Sequence, residues 1–343
     1  MTRQQRRSQR AVATAVLGLL GTIAGASCLT ACGTDGGVSA EAPPAVGTGG
    51  GSGLDVVAEV PQDEVAEGFV ERIVYPVRDG VPDPEENWAD LYLPDTDDAE
   101  ATDTEATDVT EDSVPLVVYL QGSGWNGGAH GSRHIASDLA ARGMAVLNVE
   151  YRGVSEGGGW PGTFTDVADA LDHVPAIDEN YPQLDTEDAT VVGHSAGGQL
   201  AAWAASRSRL SEDEVGADPA FSPTRVVSLA GPLDLVWAAE NGDDNIVEAM
   251  EATPDELPNA YDSIDPIRNI NPQVQVVAVH GTDDDLVPQE NSEHYVDAVT
   301  DVGGRAELVL FDGADHLSFL QSSSRHYPRL LDIIAETAGA GAQ

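Results

Sequence analysis

A serine, an acidic residue and a histidine occur along this chain in an order that suits acyl transfer. Ser195 is the central residue of a G-x-S-x-G pattern that begins at Gly193 and ends at Gly197. A serine hydroxyl is a weak nucleophile at neutral pH, so it needs a general base, and the base needs an orienting carboxylate. Asp284 and then His316 follow in the chain. This order predicts a catalytic triad with Ser195 as nucleophile, Asp284 as acid and His316 as base.

The predicted acid lies in a turn that holds three consecutive aspartates. The turn follows an apolar run that is typical of a buried strand. Asp284 is the preferred acid, and spacing leaves Asp283 and Asp285 as alternatives. In a purely structural interpretation, all three are residues that favour the turn.

His316 is the preferred base because it lies in the loop after the last predicted strand. His194, beside the serine, is expected to fill the structure behind the nucleophile, and His280 is expected to end a strand. The other histidines lie near the first loop, in predicted helices or near the C-terminus. They are His130, His134, His173, His294 and His326.

The nucleophile needs a strand before it and a helix after it. An apolar run precedes Gly193, and an alanine-rich, helix-favouring segment follows Ser195. A serine on such a strand-to-helix turn projects its hydroxyl, and the glycines at Gly193 and Gly197 let the two backbones approach. The N-terminus of the helix directs its amides towards the place where an oxyanion would form. The alternative is an incidental glycine-rich turn.

Apolar runs alternate with helix-like stretches from residue 114 onward, and strand-like runs at residues 88–94 and 114–120 flank an acidic stretch. Runs without polar alternation, separated by helices, indicate a parallel sheet with helices on both faces. We therefore predict one α/β domain over residues 56–343, with residues 95–112 as an acidic loop. Further strands are predicted at residues 116–121, 145–151, 189–193, 226–230, 274–280 and 306–311, and helices at 132–142, 163–173, 196–207 and 289–302.

The loop after the strand at residues 116–121 carries a resemblance to a known family. Its sequence, Gln-Gly-Ser-Gly-Trp from Gln121 to Trp125, resembles the His-Gly-Gly-Gly-Trp loop of α/β-hydrolases of the carboxylesterase group. Gln121 stands in place of the histidine and Ser123 in place of the middle glycine. Serine adopts a positive φ less readily than glycine, so the change at Ser123 bears directly on the conformation of the loop.

The likeness extends over residues 151–153, 159–163 and 166–170, which are similar to feruloyl-esterase-like and acetyl-esterase-like members of the superfamily. It covers the chain from about residue 88 to the C-terminus. Asp166 and Asp169 are interpreted as helix-start and surface carboxylates rather than as a second acid pair. The resemblance implies an α/β-hydrolase fold, ester hydrolysis without a metal or organic cofactor, and an oxyanion hole formed by the backbone amides of Ser123, Gly124 and Ala196.

Residues 1–31 are predicted to be a lipoprotein signal peptide. Four arginines lie in the first ten residues, and a nearly uncharged apolar run follows. The run closes with Leu-Thr-Ala-Cys at Cys32, which resembles the bacterial lipobox. This predicts an exported protein anchored on the extracytoplasmic side of the cell membrane by a lipid on Cys32, with residues 32–55 as a flexible tether. The alternatives are an uncleaved membrane anchor or ordinary cleavage that leaves Cys32 free.

The charge and composition exclude several other classes of function. The chain has 343 residues and a formal net charge of −43, and all 16 of its basic residues are arginine. Such an acidic chain repels nucleic acid and anionic membrane surfaces. A nucleotide-binding G-x-x-x-x-G-K-[ST] loop is impossible without lysine, and no Cys/His cluster suggests a metal.

We therefore predict a serine hydrolase that cleaves small-molecule or saccharide-linked carboxylic esters. One alternative is a serine peptidase of the oligopeptidase type. Such peptidases usually carry a large propeller, and the short segment before the first strand cannot build one. Another alternative is a catalytically inactive lipoprotein that uses the hydrolase fold for binding. The oligomeric state is left open.

Overall fold

The computed structural model describes residues 67–78, 80–94 and 113–340. All of them belong to one compact unit, Gly51–Gln343. The predicted signal peptide, tether and acidic loop (residues 1–31, 32–55 and 95–112) lie outside the described residues. Their assignments therefore remain predictions.

An eight-stranded sheet runs through the described residues, in the spatial order β1-β2-β4-β3-β5-β6-β7-β8. The first strand pairs antiparallel with the second, the second pairs antiparallel with the fourth, and every other neighbouring pair is parallel. The predicted, mostly parallel sheet is thus confirmed. The strands are β1 (Phe69–Val74), β2 (Trp88–Tyr92), β3 (Val114–Leu120), β4 (Ala145–Val149), β5 (Leu184–His194), β6 (Arg225–Leu229), β7 (Gln275–Gly281) and β8 (Arg305–Phe311).

Helices cover the sheet from both sides. Successive residues of a strand point to opposite faces, and the sheet accordingly takes part in two separate apolar cores. In β3, for example, Val118 belongs to one core and Tyr119 to the other. The α-helices of the described residues are α1 (Arg133–Ala140), α2 (Gly162–Asp172), α3 (Val174–Ile177), α4 (Ala196–Ser206), α5 (Leu235–Glu240), α6 (Asp244–Met250), α7 (Pro258–Ile264), α8 (Glu290–Asp301) and α9 (Tyr327–Ala338).

The packing of the helices follows from their apolar positions. Leu200 and Trp203 of α4 are buried in the first core, whereas Leu330 and Ile334 of α9 are buried in the second. Every residue of α4 is buried, because this alanine-rich helix lies directly against β5 and β6. None of the helices in the described ranges combines the length and the apolar character needed to cross a membrane.

Several elements differ from the expectations. Strand β1 and helices α3, α5, α6, α7 and α9 are additional to the predicted set. Strand β8 has only β7 as a strand partner among the described residues, and most of its residues are exposed or half-buried. The run at residues 306–311 is therefore an edge strand, although its sequence pattern predicts a buried strand.

The expectation that Asp166 and Asp169 are surface carboxylates is wrong. Asp166 is fully buried in α2 and receives two hydrogen bonds from the Arg152 guanidinium, at 2.7 and 2.6 Å. Asp169 is also buried and pairs with Arg78. A buried carboxylate requires compensating charge and hydrogen bonds, and arginine side chains provide both here. These pairs tie the loops after β1 and β4 to α2.

Candidate active site

Ser195 occupies a sharp turn between β5 and α4. Its backbone has a φ of 56° and a ψ of −125°, a conformation that residues with a side chain rarely adopt. The Ser195 amide donates a 2.8 Å hydrogen bond to the carbonyl of Leu229 on β6. The turn is thereby fixed to the neighbouring strand, with the serine side chain at the carboxyl end of the sheet.

Glycines make this turn possible because there is no room for side chains around it. A Cβ atom on Gly193 would collide with the carbonyl of Gly197, and one on Gly197 would collide with the carbonyl of Leu120. A Cβ on Gly122 would overlap the carbonyl of His194. The loop after β3, the end of β5 and the start of α4 therefore approach one another through bare backbone.

The structure brings His316 and Asp284 together. His316 Nδ1 lies 2.7 Å from Oδ2 of Asp284, whose side chain is fully buried. The other carboxylate oxygen, Oδ1, accepts the backbone amides of Leu286 and Val287, both at 2.9 Å. The two alternative acids, at residues 283 and 285, are exposed. The carboxylate that contacts the predicted base is thus that of Asp284.

The surroundings of Asp284 keep its carboxylate charged. Burial by itself raises the pKa of this group, but hydrogen bonds from His280, His316 and the Val287 amide outweigh burial and hold the pKa well below its usual range. His280, at the end of β7 as expected, places Nε2 3.5 Å from Asp284 Oδ2. Its Nε2 also donates to the carbonyl of Val287 at 2.8 Å. Asp284 therefore has two histidine neighbours, and the sequence indicated only His316.

His194 is buried and directly precedes Ser195, but it also lines the cavity and holds the loop that carries His316. Its Nε2 donates a 2.9 Å hydrogen bond to the backbone carbonyl of His316, and the two imidazole rings lie 4.7 Å apart. Burial, together with the charge of His316, lowers the pKa of His194 to about 3. A neutral His194 thus packs against the predicted base.

The predicted oxyanion loop consists of consecutive residues with a positive φ. The values are 49° at Ser123, 62° at Gly124 and 60° at Trp125, so two non-glycine residues adopt the left-handed conformation. Ser123 and Gly124 line a cavity of about 380 Å³ together with the nucleophile turn. Five of the six residues predicted for the triad and the oxyanion hole border this cavity: Ser123, Gly124, Ser195, Ala196 and His316. Asp284 lies behind His316.

Hydrogen bonds with distant residues hold this loop, and sequence reasoning missed them. Trp125 Nε1 donates to Oε1 of Gln199 at 3.0 Å, and the Gln199 amide group in turn donates to the carbonyl of Ile264 at 2.8 Å. The hydroxyl of Tyr151 donates to the carbonyl of Gln121 at 2.5 Å. Gln199 lies one turn into α4, so it links the oxyanion loop to the helix that follows Ser195.

A further carboxylate in the cavity wall was also missed. Asp243 is the only acidic residue among those that line the cavity. Its Oδ1 accepts the amide of Asn245, 3.1 Å away, at the start of α6. Burial raises its pKa. In the described part of the chain, no group of three or more His, Cys, Asp or Glu side chains is arranged to hold a metal ion.

A family model described as BD-FAE, a feruloyl esterase-like family, matches residues 103–299, more than half of the chain. The chain belongs to the BD-FAE family. The matched segment includes the nucleophile turn with Ser195 and the turn with Asp284. It ends before His316.

Curated relatives are similar at low identity. A probable isoprenylcysteine alpha-carbonyl methylesterase of Oryza sativa subsp. japonica is 28% identical over 235 residues, covering 62% of this chain and 54% of the relative. The isoprenylcysteine alpha-carbonyl methylesterase of Arabidopsis thaliana is 26% identical over 258 residues, covering 70% of this chain and 56% of the relative. This BD-FAE chain therefore spans about half the length of the curated relatives it matches.

Solved esterase structures share the fold. A truncated carbohydrate esterase from gut microbiota superimposes with a TM-score of 0.63 at 19% identity, covering 80% of this chain and 99% of that one. An esterase of Thermogutta terrifontis superimposes with a TM-score of 0.60 at 22% identity, covering 80% of this chain and 92% of that one. These similarities identify the fold of this BD-FAE member as an α/β-hydrolase fold, as predicted from the loop at residues 121–125.

Proposed function

We propose that this protein is a serine carboxylesterase that hydrolyses esters through an acyl-enzyme intermediate. Ser195 is the nucleophile, His316 the general base and Asp284 the residue that orients the base. The observation that carries the proposal is the 2.7 Å contact between His316 Nδ1 and Asp284 Oδ2, beside a cavity that also exposes the strained serine turn. The esterase names of the relatives agree with it.

Acylation begins when Ser195 Oγ attacks the carbonyl carbon of the ester and its proton passes to His316 Nε2. The charged Asp284 holds Nδ1–H of the imidazole and stabilises the imidazolium that forms. The negative oxygen of the tetrahedral intermediate accepts hydrogen bonds from backbone amides. We assign these amides to Ser123, Gly124 and Ala196.

The intermediate collapses when the bond to the alcohol oxygen breaks and His316 returns the proton to the leaving alcohol. A water molecule then attacks the acyl group on Ser195, and His316 accepts the proton of that water. A second tetrahedral intermediate releases the carboxylic acid and restores the serine hydroxyl. His194 stays neutral beside His316 during these transfers, because its pKa is lowered to about 3.

The first experiment measures hydrolysis of short-chain nitrophenyl esters by residues 54–343, in low and high salt. Ser195→Ala is expected to lower kcat by roughly 10⁴-fold or more, as expected when a triad nucleophile is removed. Ser211→Ala, at an exposed serine, is the matched control and is expected to keep full activity. A fluorophosphonate probe is expected to label the parent and not Ser195→Ala. A folded parent that neither hydrolyses esters nor takes the label would point to a binding protein, and cleavage of amide substrates alone would point to a peptidase.

A second experiment tests which of the three consecutive aspartates, Asp283, Asp284 and Asp285, is the acid of the triad. Asp284→Asn is expected to lower kcat by about 10³- to 10⁴-fold, because the amide no longer stabilises the imidazolium. Asp283→Asn and Asp285→Asn alter exposed side chains and are expected to stay within about threefold of the parent. A larger loss in either neighbour than in Asp284→Asn would contradict the assignment.

We propose neutral small-molecule or saccharide-linked esters as the substrates. The net charge of −43 and the carboxylate of Asp243 in the cavity wall repel anionic substrates. Salt screens such repulsion, so kcat/KM for an anionic ester is expected to rise more steeply with salt than kcat/KM for its neutral methyl ester. Faster hydrolysis of the anionic ester at low salt would contradict this expectation.

We also infer that the protein is an exported lipoprotein anchored through Cys32. The support is the basic start, the apolar run and the Leu-Thr-Ala-Cys segment of the first 32 residues. In cells fed a radioactive fatty acid, the parent is expected to become labelled, whereas Cys32→Ala is not. Cys28→Ser is the matched control and is expected to keep the label. A Cys32→Ala protein that stays labelled would exclude this anchor.

A further inference from the structure

Two of the exposed leucines lie at the candidate active site. Among the described residues, seven large apolar side chains are exposed. Leu286, exposed by 58%, and Leu317, exposed by 56%, both line the cavity that contains Ser195. Single exposed apolar residues are ordinary on protein surfaces. Here two of them border the same cavity, which indicates that this cavity binds an apolar group.

The backbone fixes both leucines relative to the reacting groups. The amide of Leu286 donates a 2.9 Å hydrogen bond to Asp284 Oδ1, on the carboxylate that also contacts the base. Leu317 directly follows His316, and its amide donates to Asp315 Oδ1 at 3.1 Å. These backbone contacts place both leucines at the edge of the cavity, one next to the turn with Asp284 and one next to His316.

A second cavity lies next to the first. It is more open, has a volume of about 500 Å³ and shares Gln121, Leu317 and Leu320 with the first cavity. The two cavities therefore adjoin at these residues. The lining of the second cavity has no aspartate, glutamate or arginine, and its apolar members are Ile135, Leu317 and Leu320 among polar residues and a glycine. This lining suits an uncharged group.

We propose that Leu286 and Leu317 bind an uncharged apolar part of the ester, larger than an acetyl or methyl group, which extends from the cavity along Leu317. This inference rests on the proposed ester hydrolysis and names its substrate class. Covering the exposed leucine side chains removes apolar surface from water on both partners. The apolar part belongs either to the acid or to the alcohol, and two series of substrates distinguish these sources.

The test uses the full-length protein and measures how kcat/KM depends on chain length. One series varies the acyl chain of nitrophenyl esters from acetate to octanoate, and the other varies the alcohol of acetate esters from methanol to octanol. In the parent, each added CH₂ is expected to raise kcat/KM by about two- to fourfold in one of the series. In Leu286→Ser/Leu317→Ser, the ratio of the rates for the longest and shortest substrates of that series is expected to fall by about tenfold or more.

Two controls keep the test interpretable. Leu286→Met/Leu317→Met retains apolar side chains and is expected to retain most of the chain-length dependence. Val302→Ser removes an apolar side chain that is also 56% exposed but does not line either cavity, and it is expected to behave like the parent. Equal chain-length dependence in the serine variant and the parent, or an equal fall in Val302→Ser, would overturn the proposal. Acetate hydrolysis that persists in Ser195→Ala would instead overturn the proposed function itself.

Discussion

The nucleophile turn and the oxyanion loop border the same cavity, and both contain non-glycine residues with a positive φ. In the turn this residue is Ser195, with a φ of 56°, and in the loop the residues are Ser123 and Trp125, at 49° and 60°. Around the turn, the neighbouring positions Gly193 and Gly197 leave no room for a Cβ atom. The turn is held by close contact between backbones.

Gly122 of the oxyanion loop likewise has no room for a Cβ atom, but the loop beyond it is stabilised in a different way. A Cβ on Gly124, its central glycine, would meet the nearest atom of Asn245 at 3.5 Å, an ordinary contact distance. The hydrogen bonds from Trp125 to Gln199 and from Tyr151 to the Gln121 carbonyl hold this loop instead. The difference teaches that the same kind of backbone strain can be offset either by omitting side chains or by adding hydrogen bonds. The second solution allows Ser123 to stand where the related loop has glycine.

The largest effect is expected from Gly197→Ala in the nucleophile turn. The added methyl group would overlap the carbonyl of Leu120, so β3 and α4 would have to separate and the serine turn would be displaced. We expect a loss of kcat/KM of about 10³-fold or more, since small misplacements of a catalytic group are costly, accompanied by a lower melting temperature. Gly162→Ala is the control, because the nearest atom to its Cβ would lie 3.8 Å away. Near-normal activity in Gly197→Ala would show that the serine turn does not depend on the close backbone contact at this position.

The next largest effect is expected from breaking the hydrogen bond between Trp125 and Gln199. Gln199→Leu leaves a buried indole N–H without its acceptor, which costs about 1–3 kcal/mol. We expect kcat to fall by about 10- to 100-fold with little change in KM, because in the proposed mechanism the loop binds the oxyanion of the transition state. Trp125→Phe, which removes only the indole N–H, is expected to change kcat in the same direction.

Inhibition by a boronic acid that adds to the serine sharpens this measurement. Its binding to Gln199→Leu is expected to weaken in parallel with kcat/KM, since the adduct resembles the tetrahedral intermediate. Trp237→Phe, at a tryptophan that does not line the cavity, serves as the control. A rise in KM without a change in boronate binding would show that Gln199 does not support the oxyanion hole.

A smaller effect is expected from Tyr151→Phe. The variant keeps the ring in the core and removes the hydroxyl that donates to the carbonyl of Gln121. We expect a three- to tenfold lower kcat, in line with the roughly 0.5–1.5 kcal/mol that one neutral hydrogen bond contributes. Tyr181→Phe removes a comparable hydroxyl, which bonds to Glu71, and is expected to leave kcat unchanged. Equal effects of the two substitutions would mean that the loop does not depend on Tyr151.

The smallest effect is expected at Ser123, where the comparison concerns stability more than rate. Ser123→Gly removes the Cβ that disfavours the left-handed conformation, and Ser123→Ala keeps it. The glycine variant is expected to exceed the alanine variant in free energy of unfolding by about 1 kcal/mol. Urea unfolding measures this difference. Equal stability of the two variants would show that the loop is not strained at this position.

The predictable features are those that depend on neighbours in the chain. Apolar runs located the central strands, and the glycine spacing around Ser195 located the nucleophile turn. Chain order also led to Asp284 as the preferred acid and to His316 as the base, and these side chains meet; spacing alone left Asp283 and Asp285 as alternatives. The short helices α5, α6 and α7, of six or seven residues each, were missed because an apolar period cannot be recognised over so few positions.

The unpredictable features depend on partners far away in the chain. The Trp125–Gln199 contact joins residues 74 positions apart, and the Asn87–Asp166 hydrogen bond joins residues 79 positions apart. No local pattern indicates that Gln199 would serve the oxyanion loop or that Asp166 would be fully buried. The exposure of Leu286 and Leu317 was equally hidden, because only the assembled cavity distinguishes them from core leucines.

The hydrogen bond from His194 to the carbonyl of His316 also bears on how the protein matures. It connects the end of β5 with a loop 122 residues later, and contacts across such long separations are slow to form. A chain that has been synthesised only through α4 already contains Ser195 but neither Asp284 nor His316. In the mechanism that we propose, the three groups therefore come together only when the last part of the chain docks onto the sheet.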